Sequence, residues 1–268
     1  MKLSIIVATY NHSMYIEDNI KGILSQKTDF DFEILIGDDE SDDGTTQIIE
    51  KYINLDNRIR LFKGSRKEVI YMDGVPTGRR NFFNLFNNAK GEYIAICEGD
   101  DYWIDDYKLQ KQIDFLESNK DYAICFTNNL IEINGKLYPN DIILKDKDTF
   151  DMLDLLEGNF IHTPTVVLRN EIDVFPDWYF EVIQGDWALY LLTLKGRKIK
   201  YLEDITSVYR IHDKGVYSNK PTSYKYIKFI EMLGIINKHF DYQYDSIIQN
   251  IKNHHLHIID KALKVQEM

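Results

Sequence analysis

Glu92-Tyr93-Ile94-Ala95-Ile96-Cys97-Glu98-Gly99-Asp100-Asp101-Tyr102-Trp103-Ile104-Asp105-Asp106 runs straight from an apolar stretch into an acidic one. Its first part, Glu92–Cys97, reads as a strand buried on both faces. Five carboxylates then fall within the nine residues 98–106. Like charges at that density raise one another's pKa unless a cation or a donor compensates. Ligands of open α/β sheets bind beyond the carboxyl ends of the strands. Glu98, Asp100 and Asp101 are therefore candidates for a hard divalent cation, which uses few protein carboxylates and leaves its other positions to water and phosphate oxygens. Asp105 and Asp106 read as caps of the helix that follows.

Outward from this strand the same alternation recurs. Leu3–Ala8, Phe32–Gly37, Arg58–Phe62 and Tyr122–Thr127 are further strand patterns, and Ser13–Gln26, Thr45–Ile53, Arg79–Ala89 and Lys108–Ser118 carry helical spacing. Strands alternating with helices predict a mostly parallel sheet with helices on both faces. The pattern changes after Phe126. Asn134-Gly135 between two apolar runs predicts a hairpin, residues 149–218 mix short elements, and two helices follow from Thr222. Phe229, Leu233, Ile236 and Phe240 mark the apolar stripe of one, and Ile247, Ile251, Ile258 and Ala262 that of the other. The organisation expected is an α/β domain over 1–218, with halves 1–126 and 127–218, and a helical C-terminal extension over 219–268 that completes a pocket of the second half or forms a homodimer.

Composition narrows the class. The 268 residues carry 43 acidic and 32 basic side chains, a net charge of −11. That balance argues against nucleic acid as a partner, which needs a basic face. Only residues 219–268 are slightly basic, with seven Lys against five acidic residues, which allows contact with an anionic membrane surface. Cys97 and Cys125, on apolar strands, read as buried thiols in a reducing compartment. No apolar run approaches the ~20 residues of a membrane span, and the N-terminal run reads as a strand rather than a signal peptide.

Four further segments carry polar groups beside apolar runs. In Val7-Ala8-Thr9-Tyr10-Asn11 the Tyr10 ring could stack on a base. Glu33-Ile34-Leu35-Ile36-Gly37-Asp38-Asp39 ends a strand with an acidic pair suited to a ribose hydroxyl or a base N–H, and Thr45 reads as the N-cap of the next helix. Asp39, Ser41, Asp43, Gly44 and Glu50 also have EF-hand spacing, but a strand, not a helix, precedes them. Gln184-Gly185-Asp186-Trp187 reads from its spacing as a helix cap by Asp186, with a general base as the alternative, and Tyr209-Arg210-Ile211-His212 ends a strand with a histidine that by itself reads as a surface residue. His254, His255 and His257 are poorly spaced for one helical face.

In chain order, SIIVATYNH, EILIGDDESDDGT, GEYIAICEGDDYW, and GDW followed by YRIH resemble the motifs of a family-2 glycosyltransferase with the GT-A fold, over about residues 1–215. The resemblance implies a hexosyltransferase-type enzyme that moves a sugar from a nucleotide-diphosphate donor, UDP-linked, to an acceptor hydroxyl with inversion. It implies that Ala8, Tyr10, Asn11, Asp39 and Arg80 border the nucleotide and that Glu98 and Asp101 contact the donor. Asp100, Asp101 and His212 would hold Mn or Mg, and Asp186 would be the catalytic base. It further implies surface-polysaccharide synthesis on a glycan or lipid-linked acceptor, in the cytoplasm or at the inner face of the membrane. The rival readings are a non-catalytic nucleotide-binding adaptor, a calcium-binding protein, a glycosidase and a nucleotidyltransferase.

Overall fold

The computed structural model describes residues 1–141, 147–213 and 220–266, with side chains as far as Ile258. The expected boundary at 218/219, Lys214, Gly215 and the side chain of Ala262 lie outside the described residues. The strands are β1 (Leu3–Thr9), β2 (Phe32–Asp38), β3 (Ile59–Lys63), β4 (Tyr71–Met72), β5 (Val75–Pro76), β6 (Tyr93–Ile96), β7 (Tyr102–Trp103), β8 (Tyr122–Ile133), β9 (Lys136–Pro139), β10 (Thr149–Phe150), β11 (Val166–Arg169) and β12 (Lys198–Ile211). The helices are α1 (Ile16–Leu24), α2 (Thr45–Ile53), α3 (Arg79–Asn88), α4 (Lys108–Ser118), α5 (Met152–Glu157), α6 (Gly185–Leu194), α7 (Thr222–His239) and α8 (Asp245–Gln266).

One large sheet has the order β10-β12-β8-β11-β6-β1-β2-β3. Its N-terminal half is parallel: β6, β1, β2 and β3 run together, with Ala8 beside Gly37 and Ile6 beside Ile96. The strand patterns there are unbroken because helices cover both faces, and all seven residues of β2 are buried. The other half of the sheet is mixed. β8 and β12 pair in parallel, while β11 inserts antiparallel between β6 and β8. Asn134 and Gly135 turn β8 into β9 with φ of 51° and 73°, the pair of positive values a tight hairpin requires.

Two apolar layers result. One, with Ile16, Ile20 and Ile23 of α1 against Val7 and Trp103, lies on one face of the sheet. The other, on the opposite face, joins α3, α5 and α6 to Met232, Leu233, Ile236 and Ile248 of α7 and α8. Among the described side chains of α8, Ile248 is the fully buried one, where periodicity placed Ile247. Three expected caps differ. Gly44, not Thr45, is the N-cap of α2, and Thr45 sits one residue inside with its N–H and hydroxyl donating to Asp43 Oδ1. Asp186 is the second residue of α6, behind Gln184 at the cap. Of the pair before α4, Asp105 accepts from the Tyr107 N–H, whereas Asp106 pairs with Lys27.

Candidate active site

β6 ends in the turn 97–101, and three separate elements brace it. Asn19 of α1, fully buried, donates through Nδ2 to the carbonyls of Cys97, Glu98 and Asp101 at 3.2, 2.9 and 3.0 Å. Arg210 near the end of β12 donates its backbone N–H to Asp101 Oδ1 at 2.8 Å and its guanidinium to the Asp100 carbonyl at 3.0 Å. β7 then pairs with β12, Trp103 opposite Ser207, which fixes the turn beside His212. Gly99 permits the close packing: a Cβ there would lie 2.6 Å from Thr9 Oγ1 and 3.0 Å from His12 Nδ1.

The braced turn gathers Glu98, Asp100 and Asp101, each with a carboxylate oxygen within 4.8 Å of the others. His212 Nε2 lies 3.0 Å and His12 Nε2 3.8 Å from Asp100 Oδ2. The electrostatics follow from crowding. Burial, then the charges of Asp100 and Asp186, pushes the Glu98 carboxyl up to about 8. Burial, then Asp100 and Glu98, drives Asp101 well above the ordinary range. Burial also works against ionised Asp100, but the His212 hydrogen bond and the two imidazoles outweigh it and hold that carboxyl low. Asp101 Oδ2 is buried without a hydrogen-bond partner. An orphaned carboxylate oxygen inside a crowded acidic turn fits a divalent cation among Glu98, Asp100 and Asp101, with His212 against Asp100.

A second polar cluster lies at the ends of β1 and β2. Ala8 is the penultimate residue of β1, and Tyr10, just beyond the strand, presents a ring that is 39% exposed. Arg66 stands 4.1 Å over that ring and donates to Asp39 Oδ2 at 2.8 Å, so Tyr10, Arg66 and Asp39 form one cluster. Asn11 adopts φ of 54° and ties the two loops: its N–H donates to Ser41 Oγ at 2.9 Å and its Oδ1 accepts from the Asp42 N–H at 3.0 Å. Asp43, part of the EF-hand spacing, is occupied by the N–H groups of Ser13 and Thr45; burial would raise its carboxyl, but these donors hold it at about 2. With β2 in front of it, the segment is a βα loop. Arg80 lies on the exposed face of α3, paired with Glu68 at 3.2 Å.

Its neighbour Arg79 points the other way. It is 7% exposed, donates to the carbonyls of Tyr179 and Ile183, and stacks 5.1 Å over the Tyr179 ring. These contacts hold the segment that delivers Asp186 to the first turn of α6. Burial raises the Asp186 carboxyl, partly offset by the N–H groups of the helix start, the Asn159 amide at 2.8 Å and the Arg79 charge. A partly buried carboxylate with a raised pKa, within electrostatic reach of Glu98, is suited to proton transfer. His12, Asn19, Arg66, Arg79 and Arg210 were not among the residues expected from the sequence. The only signal for them is polarity at strand ends and helix starts, which many surface residues share.

The model of glycosyl transferase family 2 matches residues 4–173. An uncharacterised protein of Mycobacterium tuberculosis is 33% identical over 233 residues, 87% of this chain, and the chain spans 64% of that relative's length. WfaP of Escherichia coli, a UDP-Glc:alpha-D-GlcNAc-diphosphoundecaprenol beta-1,3-glucosyltransferase, is 32% identical over 220 residues, covering 81% of this chain and 80% of that protein. TuaG of Bacillus subtilis, a putative teichuronic acid biosynthesis glycosyltransferase, is 29% identical, covering 81% and 82%. Among solved structures, Staphylococcus aureus TarS 1–349 in complex with UDP-GlcNAc superposes with a TM-score of 0.63 at 21% identity, covering 88% of this chain and 67% of that one. The mannosyltransferase PcManGT from Pyrobaculum calidifontis, with GDP-Man and Mn2+, gives 0.60 at 16% identity, covering 90% and 64%. With its motifs in order and its acidic turn at the end of β6, the chain belongs to glycosyl transferase family 2.

Proposed function

We propose that the protein is a metal-dependent, inverting glycosyltransferase that uses a UDP-sugar and glycosylates a hydroxyl of a lipid-linked glycan in surface-polysaccharide synthesis. The observation that carries this reading is the convergence of Glu98, Asp100, Asp101 and His212 at the end of β6, with Asp186 close enough for its charge to act on Glu98. Tyr10, Arg66 and Asp39 receive the uracil and ribose, and Asn11 fixes the loop that carries Tyr10. The bound cation supplies Lewis-acid neutralisation of diphosphate charge, worth several kcal/mol. Asp186 accepts the acceptor's proton as its oxygen bonds to the anomeric carbon. The bond from that carbon to the phosphate oxygen breaks, and its electron pair leaves with UDP. Attack opposite the leaving group inverts the centre, and no covalent enzyme intermediate forms.

The lipid-linked acceptor is supported by the name of the E. coli relative, and a biosynthetic role by that of the B. subtilis relative. Such an acceptor sits at the inner face of the membrane, where the enzyme would work as a peripheral protein; among the described residues no helix is long and apolar enough to cross a bilayer. The test is a panel of nucleotide sugars with Mn2+, reading hydrolysis of the donor, which proceeds slowly without the acceptor. One UDP-sugar should be turned over, and Asp100→Ala should abolish both turnover and metal-dependent UDP binding. UDP binding without turnover of any donor would make the protein a nucleotide-binding adaptor, and full activity of Asp100→Ala would remove the metal assignment.

A further inference from the structure

α5 stops at Glu157, and the chain turns at Gly158 into Asn159, whose side chain is exposed. Both ends of its amide are nevertheless committed. Oδ1 accepts the Ile161 N–H at 3.0 Å, and Nδ2 donates to Asp186 Oδ2 at 2.8 Å. A backbone N–H can only donate, so it claims the amide oxygen and leaves the NH2 group to the carboxylate. The chain on either side of Asn159 is anchored in the apolar layer. Before it, the Leu155 carbonyl accepts from Nε1 of Trp187, the residue after Asp186, at 2.7 Å. After it, the Phe160 ring packs on Phe150 and Phe126, with centroids 4.8 and 5.6 Å away, and Ile161 is 1% exposed. An exposed amide is thus held in one place by buried neighbours and in one orientation by the backbone.

Surface substitutions usually change stability little, so this arrangement is not explained by what it adds to the fold. It is explained by what a proton acceptor needs. The accepting oxygen must stay within hydrogen-bond reach of the proton it takes, and a misplacement of about 1 Å can cost about a hundredfold in rate. Arg79 fixes the backbone before α6, whereas Asn159 binds the carboxylate itself. We propose that Asn159 is the positioning residue of Asp186, holding Oδ2 so that the carboxylate keeps one orientation when the acceptor hydroxyl arrives. A neutral amide suits the task. It orients the anion without the neutralising charge of a lysine, and its N–H favours the ionised form that can take a proton. Asn159 acts through Asp186 and touches neither the nucleotide cluster nor the acidic turn, so its loss should slow the reaction without weakening the donor's binding.

This inference rests on Asp186 as the base, and its test separates the two. Turnover of the full chain is read as UDP release from the UDP-sugar found in the panel above, with Mn2+ and with water as acceptor. In Asn159→Ala, kcat should fall about ten- to a hundredfold, the equivalent of a hydrogen bond to a charged group. KM for the UDP-sugar and the unfolding midpoint should stay the same. The acid limb of the pH–rate profile should move to higher pH, because the ionised carboxylate has lost a donor. The charged and titratable groups that act on Asp186 or respond to it are Arg79, Glu98, Tyr179, Tyr190 and Tyr209, and the substitution alters none of them. Asn159→Asp sets a like charge against Asp186 and should move the limb further up. Unchanged kcat and limb in Asn159→Ala, with turnover lost in Asp186→Asn, overturn the Asn159 assignment and leave Asp186 as the base. A fall in kcat with the limb unmoved and the unfolding midpoint lowered makes Asn159 a tie of the fold and overturns it as well. Full turnover in Asp186→Asn, or none in the unaltered protein, overturns both.

Discussion

Asp186 and Asp100 are both carboxylates at the site, yet their surroundings pull them in opposite directions. Asp100 is held ionised by two imidazoles and acts as a permanent anion. Asp186 faces Arg79, Tyr179, Tyr190, Tyr209 and Glu98, and burial dominates, so its proton affinity is raised. A base must be ionised to accept a proton. As pH falls through the raised pKa, Asp186 becomes protonated and turnover should drop, with the acid limb above the ordinary aspartate value of 3.8. Asp186→Asn should cut turnover about 10²–10⁴-fold, the usual contribution of a positioned base. UDP affinity should hardly change, because Asp186 touches no part of the nucleotide cluster. A pH–rate profile of both proteins checks this: retention of the acid limb and of turnover in Asp186→Asn would return the residue to a structural role at the start of α6.

At the scale of elements, two buried polar side chains hold the site together by binding backbone carbonyls rather than substrate. Arg79 of α3 fixes the segment before α6, and Asn19 of α1 fixes the turn after β6. Hydrogen bonds from charged donors are worth about 1.5–3 kcal/mol each, and a buried carbonyl left unsatisfied costs about 1–3 kcal/mol. Arg79→Met should therefore lower turnover by one to two orders of magnitude through misplacement of Asp186, at about that free energy, with UDP binding retained. Asn19→Ala should instead weaken Mn2+ and UDP binding, because it frees the acidic turn. Paired turnover and titration measurements distinguish them, and loss of nucleotide binding in Arg79→Met would refute the division of labour. These braces also explain what could be read from the sequence. β1, β2 and β6 were legible because strands covered on both faces leave unbroken apolar runs, and the acidic turn because it follows one directly. Arg210 and Asp101 are 109 residues apart, and Arg79 and Tyr179 100 apart. No local pattern reports such a pairing. Thr45 and Asp186 were misread as caps because the backbone, not the residue type, decides which residue stands at the half-turn.

At the scale of the molecule, the C-terminal helices are joined to the catalytic half through apolar packing more than through charge. Phe229 of α7 stacks on Trp187, next to Asp186, with centroids 4.9 Å apart and planes 8° from parallel. Trp178 packs on His239 at 4.8 Å. Met232, Leu233, Ile236 and Ile248 are at most 1% exposed, in the same cluster as Trp187 and Leu191. The ion pair from Lys228 to Asp73 of the β4–β5 hairpin, at 2.9 Å, involves an aspartate that is 43% exposed. Such pairs contribute about 0–1 kcal/mol. Burying one aliphatic side chain contributes about 1.5–3 kcal/mol, so these four alone are comparable with the net stability of about 5–15 kcal/mol of a whole domain. Removing residues 220–268 should accordingly unfold the rest, not trim an appendage. The full chain should melt in one transition, and the shortened chain should be insoluble or lack a cooperative transition. Lys228→Ala should barely move the midpoint, whereas Phe229→Ala should lower stability by less than the about 3–5 kcal/mol of a fully buried phenylalanine, and should slow turnover because it unseats Trp187 beside Asp186, the proposed base. Thermal unfolding of the three proteins decides between packing and charge: a soluble shortened chain with an unchanged midpoint would make the helices a separate extension, and a larger loss for Lys228→Ala than for Phe229→Ala would make the hairpin clamp the dominant attachment.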